Sequence, residues 1–319
     1  MTVANFIIAG TEKAGTTSVF SYLFQHPQVA ASRRKETDFF RSGDGTASDY
    51  AAHFPDAGDR PVVMEASPGY LGEAERVVPR MRAMLPEVKL LFILRDPVDR
   101  FLSSYHFHRA KLNLPQDLTL RRYIEACLEY AEADASERAA VVRASGIDDW
   151  FLKVLPFGCY AAHLCRYLEA FPRERILVTF YDDLRADARA FMAEVSAFLG
   201  IDDGFWDSAE FKAVNATFAG RSRALHRLAV RANEALEPWL RPRPKLKSAV
   251  VGAYKWINRA REGYDGMSQE DRALLESFYA PHNRALEQLL SRPLPDGWTG
   301  GADGARRAGE HTRWEVMTP

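Results

Sequence analysis

A glycine loop set between a short apolar run and a stretch with one apolar face constrains this chain more than any other feature. Asn5-Phe6-Ile7-Ile8-Ala9 is rich in isoleucine and reads as a buried strand. Gly10-Thr11-Glu12-Lys13-Ala14-Gly15-Thr16-Thr17 follows as a tight turn, and Ser18-Val19-Phe20-Ser21-Tyr22-Leu23-Phe24 as a helix. A strand that feeds a helix through such a loop brings backbone N–H groups and the positive end of the helix dipole to one point. Lys13 adds a full charge there, so the segment is an anion cradle. It differs from the loop that holds nucleoside triphosphates, in which a lysine follows the second glycine. Gly10 and Gly15 keep that spacing, but Thr16 stands in the lysine position and the lysine has moved inside the loop.

A second segment repeats the theme. Lys89-Leu90-Leu91-Phe92-Ile93-Leu94 reads as another buried strand and runs into Arg95-Asp96-Pro97-Val98-Asp99-Arg100-Phe101-Leu102-Ser103. Pro97 suits the first turn of a helix and Asp96 its N-cap. Arg95 then falls at the C-terminal edge of the sheet, where open α/β folds take their ligands. Ser103 follows eight residues on, about two helical turns along, so a guanidinium fork and a hydroxyl are available to a phosphate monoester. A plain surface pairing of Arg95 with Asp96 is the alternative.

Gly-x-x-Lys-x-Gly-Thr-Thr resembles the 5′-phosphosulfate loop of the sulfotransferases that use 3′-phosphoadenosine 5′-phosphosulfate (PAPS). Arg95 and Ser103 resemble that family's 3′-phosphate motif, in the family's order and spacing. Lys35-Glu36-Thr37-Asp38-Phe39-Phe40, with Tyr50 and Phe54, looks like the Lys-Glu-x-x-Phe-Phe segment of the carbohydrate sulfotransferases related to the heparan sulfate enzymes. Glu65-Ala66-Ser67-Pro68-Gly69-Tyr70 matches their Glu-Lys-Ser/Thr-Pro-x-Tyr motif, with Ala66 in place of the lysine. Any charge that lysine gives the site must therefore come from elsewhere. Gly158 to Leu164, Arg175 to Leu184 and Phe198 to Ile201 fit the later core, and Leu274 to Trp298 the closing helix, so the similarity covers most of residues 4–298. It implies an α/β, P-loop-type three-layer fold, with a central, mainly parallel sheet flanked by helices and a helical C-terminal section.

The resemblance also implies roles. Lys13 contacts the 5′-phosphosulfate and assists the leaving group, and Ala14, Gly15, Thr16, Thr17 and Ser18 hold the phosphate. Arg95 and Ser103 hold the 3′-phosphate, and Arg221 and Arg223, beside Gly220, close over the phosphates. Glu36 is the candidate general base for an acceptor hydroxyl; the alternative is a surface carboxylate paired with Arg33, Arg34 or Lys35. Read from position alone, Glu65 at the ligand edge of a strand, and His106 and His108 just past Ser103, are further candidates for proton transfer or acceptor contact, with a structural role the alternative for each histidine. No metal is called for, because PAPS carries its own leaving group. The expected reaction is sulfuryl transfer from PAPS, leaving 3′-phosphoadenosine 5′-phosphate (PAP), to a hydroxyl, less readily an amine, of a carbohydrate, glycolipid or small natural product. A P-loop small-molecule kinase competes, but no lysine follows Gly15. A non-catalytic nucleotide-binding relative also competes, on the strength of Ala66 alone.

Composition bounds the rest. A chain of 319 residues with 47% hydrophobic content buries a large core, and one domain over 1–299 with a flexible tail over 300–319 is the simplest division. No apolar run approaches the length of a membrane span and no signal peptide is evident. Cys127, Cys159 and Cys165 form neither a disulfide framework nor a zinc pattern, which fits a reducing, cytoplasmic setting. A net charge of −1 argues against a nucleic-acid partner. Residues 219–249 are locally basic and read as a solvated face, a phosphate clamp or, with Trp239, a peripheral contact with an anionic membrane. The charged helical insertion from about Leu112 to Trp150 reads as a lid, an acceptor wall or an oligomer contact.

Overall fold

The computed structural model describes residues 2–43, 45–211 and 266–298. Arg221, Arg223, the basic stretch 219–249 and the expected tail 300–319 lie outside the described residues. The described residues group into two compact units: 2–43, 45–100, 156–209 and 268–298 in the first, 101–155, 210–211 and 266–267 in the second.

The first unit is built on five parallel strands, β1 (Phe6–Gly10), β2 (Val29–Ala31), β3 (Val62–Ala66), β4 (Lys89–Leu94) and β5 (Ile176–Phe180), in the order β2-β3-β1-β4-β5. Ile7 lies opposite Glu65 in β3 and Leu90 in β4. The chain leaves β1 to one side for β2 and β3 and to the other for β4 and β5. The carboxyl ends of β3, β1 and β4 therefore line up at the edge where such sheets open a crevice. Both faces of the sheet are covered, which is why its strands are continuous apolar runs rather than alternating ones.

With side chains alternating along each strand, Ile7, Ala9, Val63, Leu90, Phe92, Leu94 and Val178 fall on one face and join the main core. Helices α1 (Thr16–Leu23), α2 (Phe39–Ser42), α3 (Ala47–Ala51) and α4 (Ala74–Met84) follow β1, β2 and β3 in turn, and α5 (Pro97–Ala110) follows β4. Pro97 opens α5, and Asp96 Oδ1 accepts the Asp99 amide at 2.8 Å, the cap expected from sequence. The second unit carries α6 (Leu120–Glu132), α7 (Arg138–Ser145) and α8 (Asp149–Leu152), so the 112–150 insertion is helical as expected. Thr119 caps α6 by accepting the Arg122 amide, and Tyr123 donates to the Phe151 carbonyl at 2.6 Å, tying α6 to α8.

In the first unit α9 (Tyr160–Ala170) precedes β5, α10 (Tyr181–Ala186) and α11 (Ala188–Leu199) follow it, and α12 (Gln269–Leu290) closes the unit. Ser268 caps α12, with Glu270 and Asp271 in its first turn, where the helix dipole favours negative charge. Tyr279 of this helix is fully buried, and Asn283 Nδ2 donates to the Trp298 carbonyl at 2.7 Å. Among the described residues no helix is long and apolar enough to cross a membrane.

Candidate active site

The loop after β1 is tied to β4 on one side, and the end of β1 that feeds it is tied to the turn after β3 on the other. Thr11 N donates to the Ile93 carbonyl at 2.9 Å, and Leu71 N to the Ala9 carbonyl at 2.9 Å. Gly10 sits so close to Leu71 that a Cβ there would lie 2.6 Å from Leu71 Cβ, hence glycine. Lys13 has φ +67 and Gly15 φ +81, so two residues of the loop adopt the left-handed conformation. For a residue with a Cβ, that conformation costs on the order of 1–2 kcal/mol, and it is tolerated where surrounding bonds impose it. Such turns curl successive amides into a concave anion nest. Ser18 and Val19 donate back to the Gly15 carbonyl at 2.9 and 3.1 Å, so the amides ahead of them belong to the turn that a helix presents to an anion. Ala14, Thr16 and Ser18 are buried, while Lys13, Gly15 and Thr17 are half-buried.

Arg95 joins the two motifs. Its Nη1 donates to the Lys13 carbonyl at 3.0 Å, its guanidinium lies 4.9 Å from the Tyr181 ring centroid, and its own carbonyl accepts the Tyr160 hydroxyl at 2.7 Å. One arm of the fork is thus spent on the loop backbone and the remaining donors stay available for an anion. Asp96 beside it is pushed up to about 6 by burial, partly offset by the Asp99 amide that it accepts. Nest, ammonium and guanidinium together suit a ligand with more than one anionic group. Among the described residues no cluster of His, Cys, Asp and Glu is arranged to hold a metal ion.

Acidic groups gather beside the loop. Glu36 is exposed and accepts from Lys35 Nζ at 2.8 Å, one of the pairings weighed from sequence. Glu12, which the sequence reading passed over, is held above the usual carboxylate range by burial; the nearby charges of Glu36 and Asp38 act the same way and those of Arg100 and Arg41 oppose it. Arg41 bonds Asp38 Oδ1 at 3.1 Å. A Cβ on Gly69 would lie 3.2 Å from Arg41 Nη1 and 3.6 Å from Glu12 Oε1, so both side chains converge on that glycine. Ala66, where the resemblance expects a lysine, is fully buried, and Arg41 is a cation beside Gly69 of the same motif. Arg100 is 1% exposed and its charge acts on Glu12 and on the hydroxyls of Tyr160 and Tyr279.

Glu65, the second candidate for proton transfer, is placed inside the core rather than on the open edge of the sheet. Glu65 is 0% exposed within β3 and accepts from four hydroxyls: Thr37 at 2.5 Å, Ser67 and Tyr50 at 2.8 Å, and Tyr70 at 3.3 Å. Burial raises its pKa and the hydroxyls draw it back down. In the second unit, Ser103 is half-buried on α5. His106 is 9% exposed with its ring 5.3 Å from that of Tyr105, a core setting rather than a presented base. His108 is equally buried, against Phe151 at 4.7 Å and bonded to Asn113 Nδ2 at 3.2 Å.

Tyr181 at the end of β5 could have been suspected from its place at the ligand edge of the sheet. Glu12 lies in the loop itself, whereas Arg41, Arg100 and Tyr160 carry no such signal, since only the fold brings them near it.

A family profile for the sulfotransferase domain matches residues 4–216. The bifunctional heparan sulfate N-deacetylase/N-sulfotransferase 2 of Bos taurus is 28% identical over 307 residues, covering 91% of this chain and 30% of that protein. The heparan sulfate glucosamine 3-O-sulfotransferase 3B1 of Homo sapiens is 29% identical over 198 residues, 61% of this chain and 45% of that protein. A membrane-associated sulfotransferase, kil1, of Dictyostelium discoideum is 40% identical over 107 residues, 32% of this chain and 22% of that protein. The chain thus spans less than half the length of these relatives. The crystal structure of a sulfotransferase from Alicyclobacillus acidocaldarius superposes with a TM-score of 0.64 at 23% identity, over 93% of this chain and 99% of that one, so the two share a fold.

Proposed function

The chain belongs to the sulfotransferase domain family, and from that premise we propose that it transfers the sulfuryl group of PAPS to a hydroxyl, less readily an amine, of a carbohydrate, glycolipid or small natural product. The observation that carries this reading is the bond from Arg95 to the Lys13 carbonyl, which joins the two anion-binding motifs at the carboxyl ends of β1 and β4. The donor set fits a nucleotide with phosphate at both its 5′ and 3′ positions. Lys13 and the amides of Ala14 to Thr17, with the hydroxyls of Thr16, Thr17 and Ser18, hold the 5′ side. Arg95 holds the 3′-phosphate.

Glu36 takes the proton of the acceptor hydroxyl as its oxygen bonds to sulfur and the sulfur–oxygen bond to the 5′-phosphate breaks. Lys13 meets the negative charge that gathers on the departing phosphate oxygen, a stabilisation that counts for more in a site that excludes water. Holding acceptor and donor in line supplies most of the remainder. The exposure of Glu36 supports its role, because an acceptor can reach it. A carbohydrate acceptor is supported by relatives named for heparan sulfate, and the free thiols of Cys127, Cys159 and Cys165 go with a reducing cytoplasmic setting.

Calorimetric titration with PAP, against ADP and against ATP with magnesium, tests the nucleotide assignment. Metal-independent binding of PAP that is tighter than that of ADP supports it. Binding of ATP–magnesium with indifference to the 3′-phosphate overturns it in favour of a kinase. Radiolabelled sulfate transfer from PAPS to fully desulfated heparin and to a panel of simple glycosides then separates the acceptor classes.

A further inference from the structure

We infer that Glu65 is a positioning residue for Glu36, acting through hydroxyls that hold the backbone on which Glu36 is carried; the inference rests on Glu36 being the base. Glu65 lies on the β3 face that packs against the main core, among Tyr50, Phe40 and Tyr70, all fully buried. A carboxylate in such a layer is costly unless every oxygen lone pair is met. An ionised carboxylate only accepts hydrogen bonds, so the hydroxyls of Thr37, Ser67, Tyr50 and Tyr70 turn their protons toward it and their lone pairs away.

Three of those outward lone pairs meet three consecutive amides. Asp38 N donates to Ser67 Oγ at 3.1 Å, Phe39 N to Thr37 Oγ1 at 3.3 Å and Phe40 N to Tyr70 OH at 3.3 Å. These residues begin two positions after Glu36 and make up the N-cap and the first two residues of α2. That helix is four residues long, and a single turn does not hold itself. Asp38, which precedes it, has φ +51, a conformation that its neighbours must impose. On the other side of Glu36, the Lys35 carbonyl accepts the Ala66 amide at 3.0 Å. Glu36 is therefore carried between two anchors, the edge of β3 and the hydroxyl layer, and the negative charge of Glu65 sets the direction of every bond in that layer. A glutamine of the same shape replaces one carboxylate oxygen by an N–H₂ group, so the two hydroxyls at that atom, Thr37 and Ser67 at Oε2 or Tyr50 and Tyr70 at Oε1, must turn a lone pair inward and their protons elsewhere, which re-aims and loosens the layer that holds the amides of 38–40.

Hydrogen exchange on the intact chain, with Glu65→Gln, tests this. Exchange at the amides of Asp38, Phe39 and Phe40 is expected to quicken at least tenfold, while the amides of β4 and the affinity for PAP stay as in the wild type. PAPS turnover, with fully desulfated heparin or water as acceptor, is expected to lose at least tenfold in kcat with the KM for PAPS held. The same change is expected to cost nothing further in a Glu36→Gln background. Unchanged exchange at 38–40, or an equal loss of turnover in both backgrounds, overturns the inference. Full turnover in Glu36→Gln overturns the base assignment instead, a failure that the exchange data keep separate. Should Glu65→Gln fail to fold, Ser67→Ala removes one arm and the Asp38 acceptor without touching the charge, and the same pattern is expected in milder form.

Discussion

Alanine at position 15 should damage both the stability of the protein and its hold on an anion. Gly15 has φ +81, and a residue with a Cβ gives up about 1–2 kcal/mol in that region. The new Cβ would also lie 2.8 Å from Leu184 Cδ2 and 3.1 Å from both Cδ2 and Cε2 of Tyr181. Tyr181 cannot retreat freely, because the Arg95 guanidinium stacks on its ring at 4.9 Å. Forcing a methyl group into a packed site of this kind costs about 1–3 kcal/mol. The two contributions together come to about 2–5 kcal/mol, which in a cooperative unit of this size lowers the thermal midpoint by about 5–15 °C. The damage should also reach function: either the loop flattens or Tyr181 moves, and in both cases the Lys13 carbonyl and Arg95 lose their register. Urea unfolding followed by tryptophan fluorescence gives the stability change, and calorimetric titration with PAP gives the binding loss. A Gly15→Ala protein with an unchanged midpoint and unchanged PAP affinity would refute both the left-handed turn and its packing against Tyr181.

Other substitutions separate the proposed roles. Glu36→Gln is expected to lower PAPS turnover by about 10²–10⁴ while leaving PAP affinity intact, and an equal loss in both would move Glu36 from chemistry to binding. Arg95→Ala should weaken PAP by about 1.5–3 kcal/mol and ADP by less, as read by calorimetry, since only PAP carries the 3′-phosphate. Arg95→Lys should recover little of that loss because it lacks the planar fork, and full recovery would argue for a simple charge contact. Burial raises Asp96 from the ordinary 3.8 to about 6, so the fold favours its protonated form. Its stabilising contribution is complete below the lower value and is lost as pH rises through about 6, a difference of at most about 3 kcal/mol. Asp96→Asn keeps an acceptor for the Asp99 amide and removes the titration. Its thermal midpoint should therefore gain on that of the wild type between pH 4 and pH 6, and a constant gap across that range contradicts the assignment.

The main elements around the loop were legible because their signals are local. A branched apolar run, a glycine turn and one apolar helix face specify β1, the loop and α1 within a stretch of twenty residues. Pro97 and Asp96 likewise mark the start of α5 beside Arg95. Glu65 shows where such reading ends. Its neighbours Met64 and Ala66 suit a strand, and a carboxylate near a strand end reads as one presented to ligand. Whether it meets solvent or a cage depends on Tyr70, close by in the chain, and on Thr37 and Tyr50, from segments after β2 that only the pairing of β2 with β3 brings to it.

By itself the sequence determined that this chain forms an α/β sheet with an anion-binding loop at its first turn, because helix and strand periodicities and glycine spacing act over short range. It also determined which side chains are available for the chemistry. The tertiary structure alone decided which of them work together. Arg95 reaches a carbonyl 82 positions away, the charge of buried Arg100 acts on Glu12, and Glu65 is enclosed by four hydroxyls. The physical reason is that burial and hydrogen-bond direction belong to a side chain's surroundings, and those surroundings are assembled only when the sheet closes.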